Sequence, residues 1–473
     1  MRTKLILFLT ILFCNTALSL KGQGYNIDVT INGWSDTTLI LGHYFNKKML
    51  VNDTIIIDSA GKGTFKGNEP LPGGIYLMYM PDQKYFDVLI DDEQHFSIEV
   101  EKSNPVETLE VKGNKQEKAF NEYQKYLAKQ QKKAQSLQSN IKDKAETHKD
   151  SVEIWKNQLS GLSSEMKSYW DNILKEYNGK FLASFIKGIK EVEVPDFKET
   201  PALPDSVVRW KRYEFYKEHY FDNIDLTDDR MLRTPYFSNK LETFLTKTIF
   251  QIPDSIVKES EKLIEKAREN KDMEKYLIQF AFNTVNESKV MGMDAAMVSL
   301  AEKYYLSGYA DWVDEEFLTK LEERVTKLKP NLIGNKAPDL KLISPNNEHY
   351  RLNEVYGKLT ILVFWEPDCG HCKKEIPKLK EEIWDKYSDQ GVKIFAVYTQ
   401  HEKEKWTDFI EEHQLEEWIN VWDPYNQSNF RNLYDIYSTP AIFVINEEKN
   451  IIAKRIGAEQ LPGFIDYYLK KNN

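Results

Sequence analysis

Apolar and polar side chains alternate along residues 25–111. Ile27, Val29 and Ile31 fall on one face, as do Leu39 and Leu41, the period of two that a half-buried strand imposes. The run Ile55-Ile56-Ile57 leads into a turn at 58–63. Apolar-rich segments follow at 74–80, 85–90 and 95–100, with a tight turn at Asp91-Asp92-Glu93. Short strands at this spacing predict a small sandwich or open barrel. His43 and His95 are isolated there, and Tyr76, Tyr79, Tyr85 and Phe86 read as packing residues, with partner docking as the competing role. From residue 112 the period changes. Lys, Gln, Glu and Ser dominate 115–180, while Phe120, Tyr123, Leu127, Leu137 and Ile141 recur near helical intervals, which predicts long helices in an antiparallel pair. Pro195, Pro201 and Pro204 mark a loop, after which helical patterns return at 210–220, 241–250, 254–267, 273–285, 295–305 and 312–328.

Past a linker at 330–338, strands and helices alternate. Segments 339–343 and 349–352 read as a hairpin turning at Pro345-Asn346-Asn347. The run Leu359-Thr360-Ile361-Leu362-Val363 reads as a buried strand, followed by a helix with Ile376, Leu379 and Ile383 on one face. A second buried strand at 391–398 precedes a helix with Trp406, Phe409 and Ile410 inward. A short helix at 430–434, a strand at 438–445 with proline near its start, a turn into 451–455 and a closing helix at 461–469 complete the pattern. The expected fold class is multidomain: a small β-rich domain at 25–111, an all-α domain at 112–329 and an α/β domain at 330–473.

At 473 residues the chain is long enough for such a division, and its net charge of −10 leaves no basic footprint for nucleic acid. Residues 1–24 read as a signal peptide: Arg2 and Lys4 precede a short apolar core at 5–13, and Ala17, Ser19, Gly22 and Gly24 supply small residues for cleavage. The apolar core is short for a membrane span, and an uncleaved anchor is the competing reading. Cys14 follows Phe13 rather than a small residue, which argues against lipidation. Once the leader is removed, Cys369 and Cys372 are the only cysteines left of the three. An exported chain that keeps only a closely spaced pair keeps one that can cycle, where disulfides form and persist.

That pair sits where a strand hands over to a helix, in Trp365-Glu366-Pro367-Asp368-Cys369-Gly370-His371-Cys372-Lys373-Lys374-Glu375-Ile376-Pro377. Unpaired N–H groups and the helix dipole at such a start favour a thiolate. Cys369, in the cap position, is the expected nucleophile, and Cys372, one turn in, the expected resolver of the mixed disulfide. His371, between them, is expected to support the Cys369 thiolate. Glu375 shares a helix face with Cys372, where its charge opposes a thiolate or relays a proton. Lys373 and Lys374 read as a solvated face, and Pro377 as a kink. Structural zinc needs two such pairs and finds only one here, so redox chemistry is the reading, with no metal and no cofactor required.

The order of strand, Cys-x-x-Cys helix, strand, helix and then Ser438-Thr439-Pro440 before a strand resembles the thioredoxin fold. More narrowly, it is similar to the TlpA/ResA-like periplasmic thiol–disulfide oxidoreductases, over about residues 332–473. The resemblance implies a cis Pro440 facing the disulfide, a glutamate at Glu375 near the buried thiol, and a substrate-binding surface from Trp365, Thr439 and Pro440. The Cys-Gly-His-Cys core is similar to that of protein disulfide isomerases. Thioredoxins carry a buried aspartate two residues before the tryptophan, where this chain has Val363, so proton relay would rest on Glu375 or water. Peroxiredoxins carry a hydroxyl residue three before the nucleophile, where this chain has Glu366. The regions ahead of residue 330 resemble accessory domains of exported bacterial proteins. The expected function is an exported, periplasmic or cell-envelope reductase of protein disulfides, recharged by an upstream redox donor. The competing reading is a redox-sensitive adaptor whose accessory domains carry the main role. A homodimer through the helical domain stays open, the heptads there being irregular.

Overall fold

The computed structural model describes residues 24–144, 149–197 and 203–471. The expected signal peptide, Cys14 included, lies outside them apart from Gly24. The chain falls into two compact units, Met1–Lys240 and Leu241–Asn473.

In the first unit, alternation does what the sequence suggests. Strands β1 (Tyr25–Asn32), β4 (Lys62–Gly67), β7 (His95–Glu101) and β8 (Glu110–Lys112) form one sheet in the order β4-β1-β7-β8. Strands β2 (Thr37–Phe45), β3 (Lys48–Ile57), β5 (Gly74–Tyr79) and β6 (Tyr85–Ile90) form another in the order β3-β2-β5-β6. Ile27 lies opposite Phe65 on one side and Phe96 on the other. That register keeps the apolar positions on one face, where they meet Leu39, Leu41, Tyr76, Met78 and Val88 of the second sheet in a single core. The β2–β3 hairpin turns at Asn46 and Lys47, at φ +47° and +63°, the left-handed pair that a two-residue hairpin requires.

Helices of this unit begin with the short α1 (Pro105–Thr108), then α2 (Lys115–Lys144) and α3 (Lys149–Glu176). Tyr126 stacks on Tyr169 at 4.1 Å and Gln130 bonds Glu165 at 3.0 Å; pairings that rise on one helix and fall on the other make the two antiparallel. They are followed by α4 (Phe181–Ile189), α5 (Asp205–His219) and α6 (Phe237–Thr243), within which the division between the units falls. Helix α2 is keyed to β6 by Glu117, fully buried, whose carboxyl accepts the Leu89 N–H at 2.5 Å while its other oxygen has no partner. Burial, with the Asp87 charge adding to it, holds this carboxyl well above the ordinary value of 4.5.

The second unit opens with α7 (Pro253–Lys266), α8 (Lys271–Asn286), α9 (Asp294–Leu300) and α10 (Glu315–Leu328). Asn270 and Asp314 cap α8 and α10 by accepting the N–H groups of Met273 and Phe317. The sheet that follows has the order β10-β9-β13-β12-β11-β14-β15. Its strands are β9 (Lys341–Ile343), β10 (His349–Arg351), β11 (Leu359–Trp365), β12 (Val392–Tyr398), β13 (Ile419–Trp422), β14 (Ala441–Asn446) and β15 (Ile451–Lys454). Every residue of β11 is buried. It runs parallel to β12 and antiparallel to β14. Leu359, Ile361, Val363 and Trp365 enter one core layer, and Leu362 and Phe364 the other, so an unbroken apolar run is what this strand needs.

The first layer is closed by α11 (Cys372–Lys378), α12 (Asp385–Tyr387), α13 (Lys403–Glu412) and α15 (Leu461–Lys471), the second by α14 (Phe430–Leu433) and the β9–β10 hairpin. Pro377 lies inside α11, and the chain widens into a π-helical turn at Leu379–Trp384. A proline supplies no N–H and crowds the turn before it, so its effect falls ahead of this widening. The architecture is β-rich, then helical, then a thioredoxin-like sheet with helices. Among the described residues no helix is long and apolar enough to cross a membrane.

The Glu117 site predicts a pH dependence. A carboxyl held above its unfolded value contributes stability below pH 4.5 that is lost as pH rises through the folded value. Glu117→Gln keeps an acceptor for Leu89 and never ionises. Hydrogen exchange of the 85–90 segment is expected to be slower in this variant than in the parent at pH 8, with the difference closing toward pH 5; equal rates at pH 8 would exclude the buried charge as a cost.

Candidate functional site

Strand β11 leaves the core at Trp365, and the chain must then turn back as a helix. Glu366-Pro367-Asp368 make that turn, and the Cys369 N–H reaches the Glu366 carbonyl at 3.4 Å. The Lys373 N–H closes the first helical turn on the Cys369 carbonyl at 3.0 Å. Cys369 is therefore half-buried at the helix mouth, whereas Cys372 is wholly buried in the core layer beneath β11.

Both thiols are free, and their surroundings drive them apart. Burial pushes the Cys369 thiol up, but the Cys372 N–H at 3.4 Å, Thr439, the Cys372 side chain and the His371 N–H outweigh it and leave the thiol below its ordinary value. Burial also pushes Cys372 up and the neighbouring Cys369 adds to the effect; a backbone hydrogen bond from Glu366 and the Thr439 side chain offset only part of it, and the thiol stands at about 12. The pair thus holds one acidic, accessible sulfur and one protonated, shielded sulfur.

The Cys369 Sγ–H donates to the Thr439 carbonyl at 3.2 Å. The peptide between Thr439 and Pro440 is cis, and both residues are half-buried where β14 begins. The loop is held by a residue that the sequence reading weighed only as a departure from peroxiredoxins. Glu366 accepts the Thr439 hydroxyl at 3.0 Å, the Thr399 hydroxyl at 3.3 Å and the Gln400 amide. One carboxylate so ties the end of β11, the end of β12 and the Thr439–Pro440 loop. Its signal was the first charged residue after a strand without any, at the carboxyl edge where open sheets place their sites.

Cys369, Cys372, Thr439 and Pro440 are brought together; the other expected site residues stand differently. His371 is exposed, and it acts on Cys369 through its backbone N–H. The Glu375 carboxylate turns to the next loop, accepting the Ala458 N–H at 2.9 Å and lying 3.7 Å from Lys378. Trp365, expected on the substrate surface, is fully buried and packs on Phe409 at 4.9 Å. The period of β11 turns its side chain inward, so its indole offers a substrate no surface. Among the described residues no cluster of His, Cys, Asp and Glu is placed to hold a metal ion.

Residues 333–454 match the model of the AhpC/TSA family, and residues 25–120 match a domain of unknown function, DUF4369. Over 139 residues the chain is 26% identical to the thiol-disulfide oxidoreductase ResA of Bacillus anthracis, covering 29% of this chain and 78% of that protein. It is 34% identical over 79 residues to ResA of Geobacillus kaustophilus, covering 17% of this chain and 45% of the other. Among solved structures, a domain of a possible thiol-disulfide isomerase from Cytophaga hutchinsonii is 40% identical; the match covers 30% of this chain and 96% of that one, with a TM-score of 0.29.

The split between the two thiols predicts selective chemistry. In reduced protein at neutral pH, iodoacetamide is expected to alkylate Cys369 at least about tenfold faster than Cys372, because only the thiolate reacts. Peptide mass spectrometry after timed quenching reads the ratio. Comparable rates at both sulfurs would contradict the burial difference.

Proposed function

Because this chain is a thioredoxin-like thiol–disulfide oxidoreductase, with an AhpC/TSA-family domain at residues 333–454, we propose that it reduces protein disulfides in the cell envelope. The observation that carries the direction is the state of Cys372. A dithiol is oxidising when its thiolate form is strongly stabilised. Here Cys369 alone is favoured as a thiolate while the buried sulfur stands at about 12, so the dithiol gains less from ionisation than a pair with both sulfurs lowered, which favours giving up its electrons.

The Cys369 thiolate attacks one sulfur of a substrate disulfide. The substrate S–S bond breaks, the leaving sulfur takes a proton, and a mixed disulfide forms. Cys372 then loses its proton, attacks the Cys369 sulfur and releases the second substrate thiol. The substrate gains two electrons and two protons, and Cys369 and Cys372 are left joined. A dithiol donor upstream restores the pair. Thr439 and Pro440 present backbone to an extended substrate segment beside Cys369, and Glu366 positions them. Glu375 holds the loop at Ala458 as a positioning residue. The accessory regions dock or space the catalytic domain, or join two copies through the helical pair. A peroxidase is disfavoured because Glu366 occupies the place of the hydroxyl residue and its carboxylate is committed to Thr439.

With dithiothreitol as donor, the parent is expected to turn over insulin disulfides and Cys369→Ser to lose all activity. Cys372→Ser is expected to accumulate covalent adducts with envelope proteins that added thiol releases. A parent that does not cycle would make the chain an adaptor, and adducts on Cys369→Ser instead would reverse the roles. For export, intact mass of envelope-fraction protein is expected to place the mature N-terminus between Leu18 and Tyr25; a retained Met1 or a lipid on Cys14 would refute it.

A further inference from the structure

Lys454, at the end of β15, is only 4% exposed. Its ammonium donates to the Asn331 carbonyl at 3.0 Å and side-chain oxygen at 2.7 Å, and pairs with Asp294 at the start of α9. Asn331, also buried, donates to the carbonyls of Lys327 at 2.7 Å and Leu433 at 3.1 Å. A buried ammonium tied in this way tolerates no loss of partner. It locks the α9 start and the α10 end to the sheet, so these helices are a fixed wall at the end of β15.

Next to this lock, Asp435 is 4% exposed and bridges two arginines. Arg324 of α10 donates to one carboxylate oxygen at 2.5 Å and Arg455 to the other at 2.8 Å. Arg455 also donates to the Tyr437 hydroxyl at 2.6 Å and lies over its ring at 4.5 Å. Asp435 and Arg455 both hold φ +53°, a conformation that such residues keep where their surroundings demand it. Between wall and loop lies a pocket of about 440 Å³ lined by Lys289, Val290, Met291, Arg324, Tyr437 and Arg455, within the size range of small-ligand sites. Val290, Met291 and Tyr437 are exposed. Tyr437 is two residues from Thr439, whose carbonyl meets the Cys369 thiol.

We propose that this pocket is a subsite for an acidic segment of the protein substrate, with Asp or Glu beside an apolar residue, flanking the disulfide cysteine. The inference rests on the reductase reading and names its substrate class. Charge selects the acidic segment. Asp294 answers Lys454 and Asp435 answers one arginine, so Lys289 and the second arginine leave the pocket positive in a chain of net charge −10. The apolar lip selects a peptide over a small anion, which would leave Val290 and Met291 without a role. Position does the same, since a segment paired along Thr439 runs on to Tyr437.

The test separates binding from catalysis. The full chain carrying Cys369→Ser and Cys372→Ser is titrated with a fluorescent cysteine-free peptide containing Glu-Leu-Glu, and with its Gln-Leu-Gln counterpart. The acidic peptide is expected to bind about fivefold tighter or more, with the preference fading at high salt. Adding Lys289→Glu and Met291→Ser is expected to abolish the preference, whereas Arg324→Lys, which keeps the cation, retains it. Equal binding of the two peptides, or a preference that survives Lys289→Glu and Met291→Ser, overturns the proposal. So does concentration-dependent dimerisation that the same substitutions abolish, which would assign the pocket to a second copy. Insulin turnover by the parent reports separately on the reductase reading, so either can fail without the other.

Discussion

A strand buried on both faces can end only by leaving the core, and most of the candidate site depends on that constraint. Strand β11 keeps every side chain from Leu359 to Trp365 out of water. The chain then has three residues in which to reach the surface and return as a helix. Cys369 is caught at the boundary and Cys372 on the way back in. Burial alone would raise both thiols. The difference between them is one of balance: hydrogen bonds, the Cys372 and His371 N–H groups among them, outweigh burial at Cys369, whereas burial outweighs the hydrogen bonds at Cys372. A helix mouth thus makes two chemically identical side chains unequal, with no added charge.

Glu366 is the price of the same exit. It is the first charged group after the strand, and hydroxyl and amide donors from two other loops converge on it. A hydrogen bond to a charged group contributes about 1.5–3 kcal/mol, more than a neutral one. Holding the Thr439–Pro440 loop at a fixed distance from Cys369 is a use for that strength. Val363, buried where thioredoxins carry an aspartate, leaves the core under the thiols apolar, which is consistent with the high value of Cys372.

The helices after residue 112 are divided between the two units. Those up to Lys240 belong with the β sandwich, and those from Leu241 belong with the redox sheet. In the first unit a buried carboxyl, Glu117, joins helix to strand. In the second a buried ammonium, Lys454, does the equivalent work. Both are costly groups that need their partners, and each ties a helix to a sheet at one place. The second tie gives the redox domain a flank that its own sheet does not supply.

Strands β11, β12 and β14 were legible because apolar runs of that length have few other uses, and the Cys-x-x-Cys pair because its spacing fits a helix start. Strand β13 was not read: its Ile-Asn-Val-Trp follows an acidic stretch and is too short to show a period. The β2–β3 turn was missed because Asn46-Lys47 carries no glycine to announce a left-handed bend. By itself, then, the sequence determined the chemistry available and the kinds of element that carry it, since composition and period are local properties. Tertiary structure decided which residues meet. It turned Trp365 inward and Glu375 toward Ala458, and it brought Glu366 to Thr439 and Arg324 to Asp435, because side chains far apart along the chain become neighbours only when strands pair and helices pack.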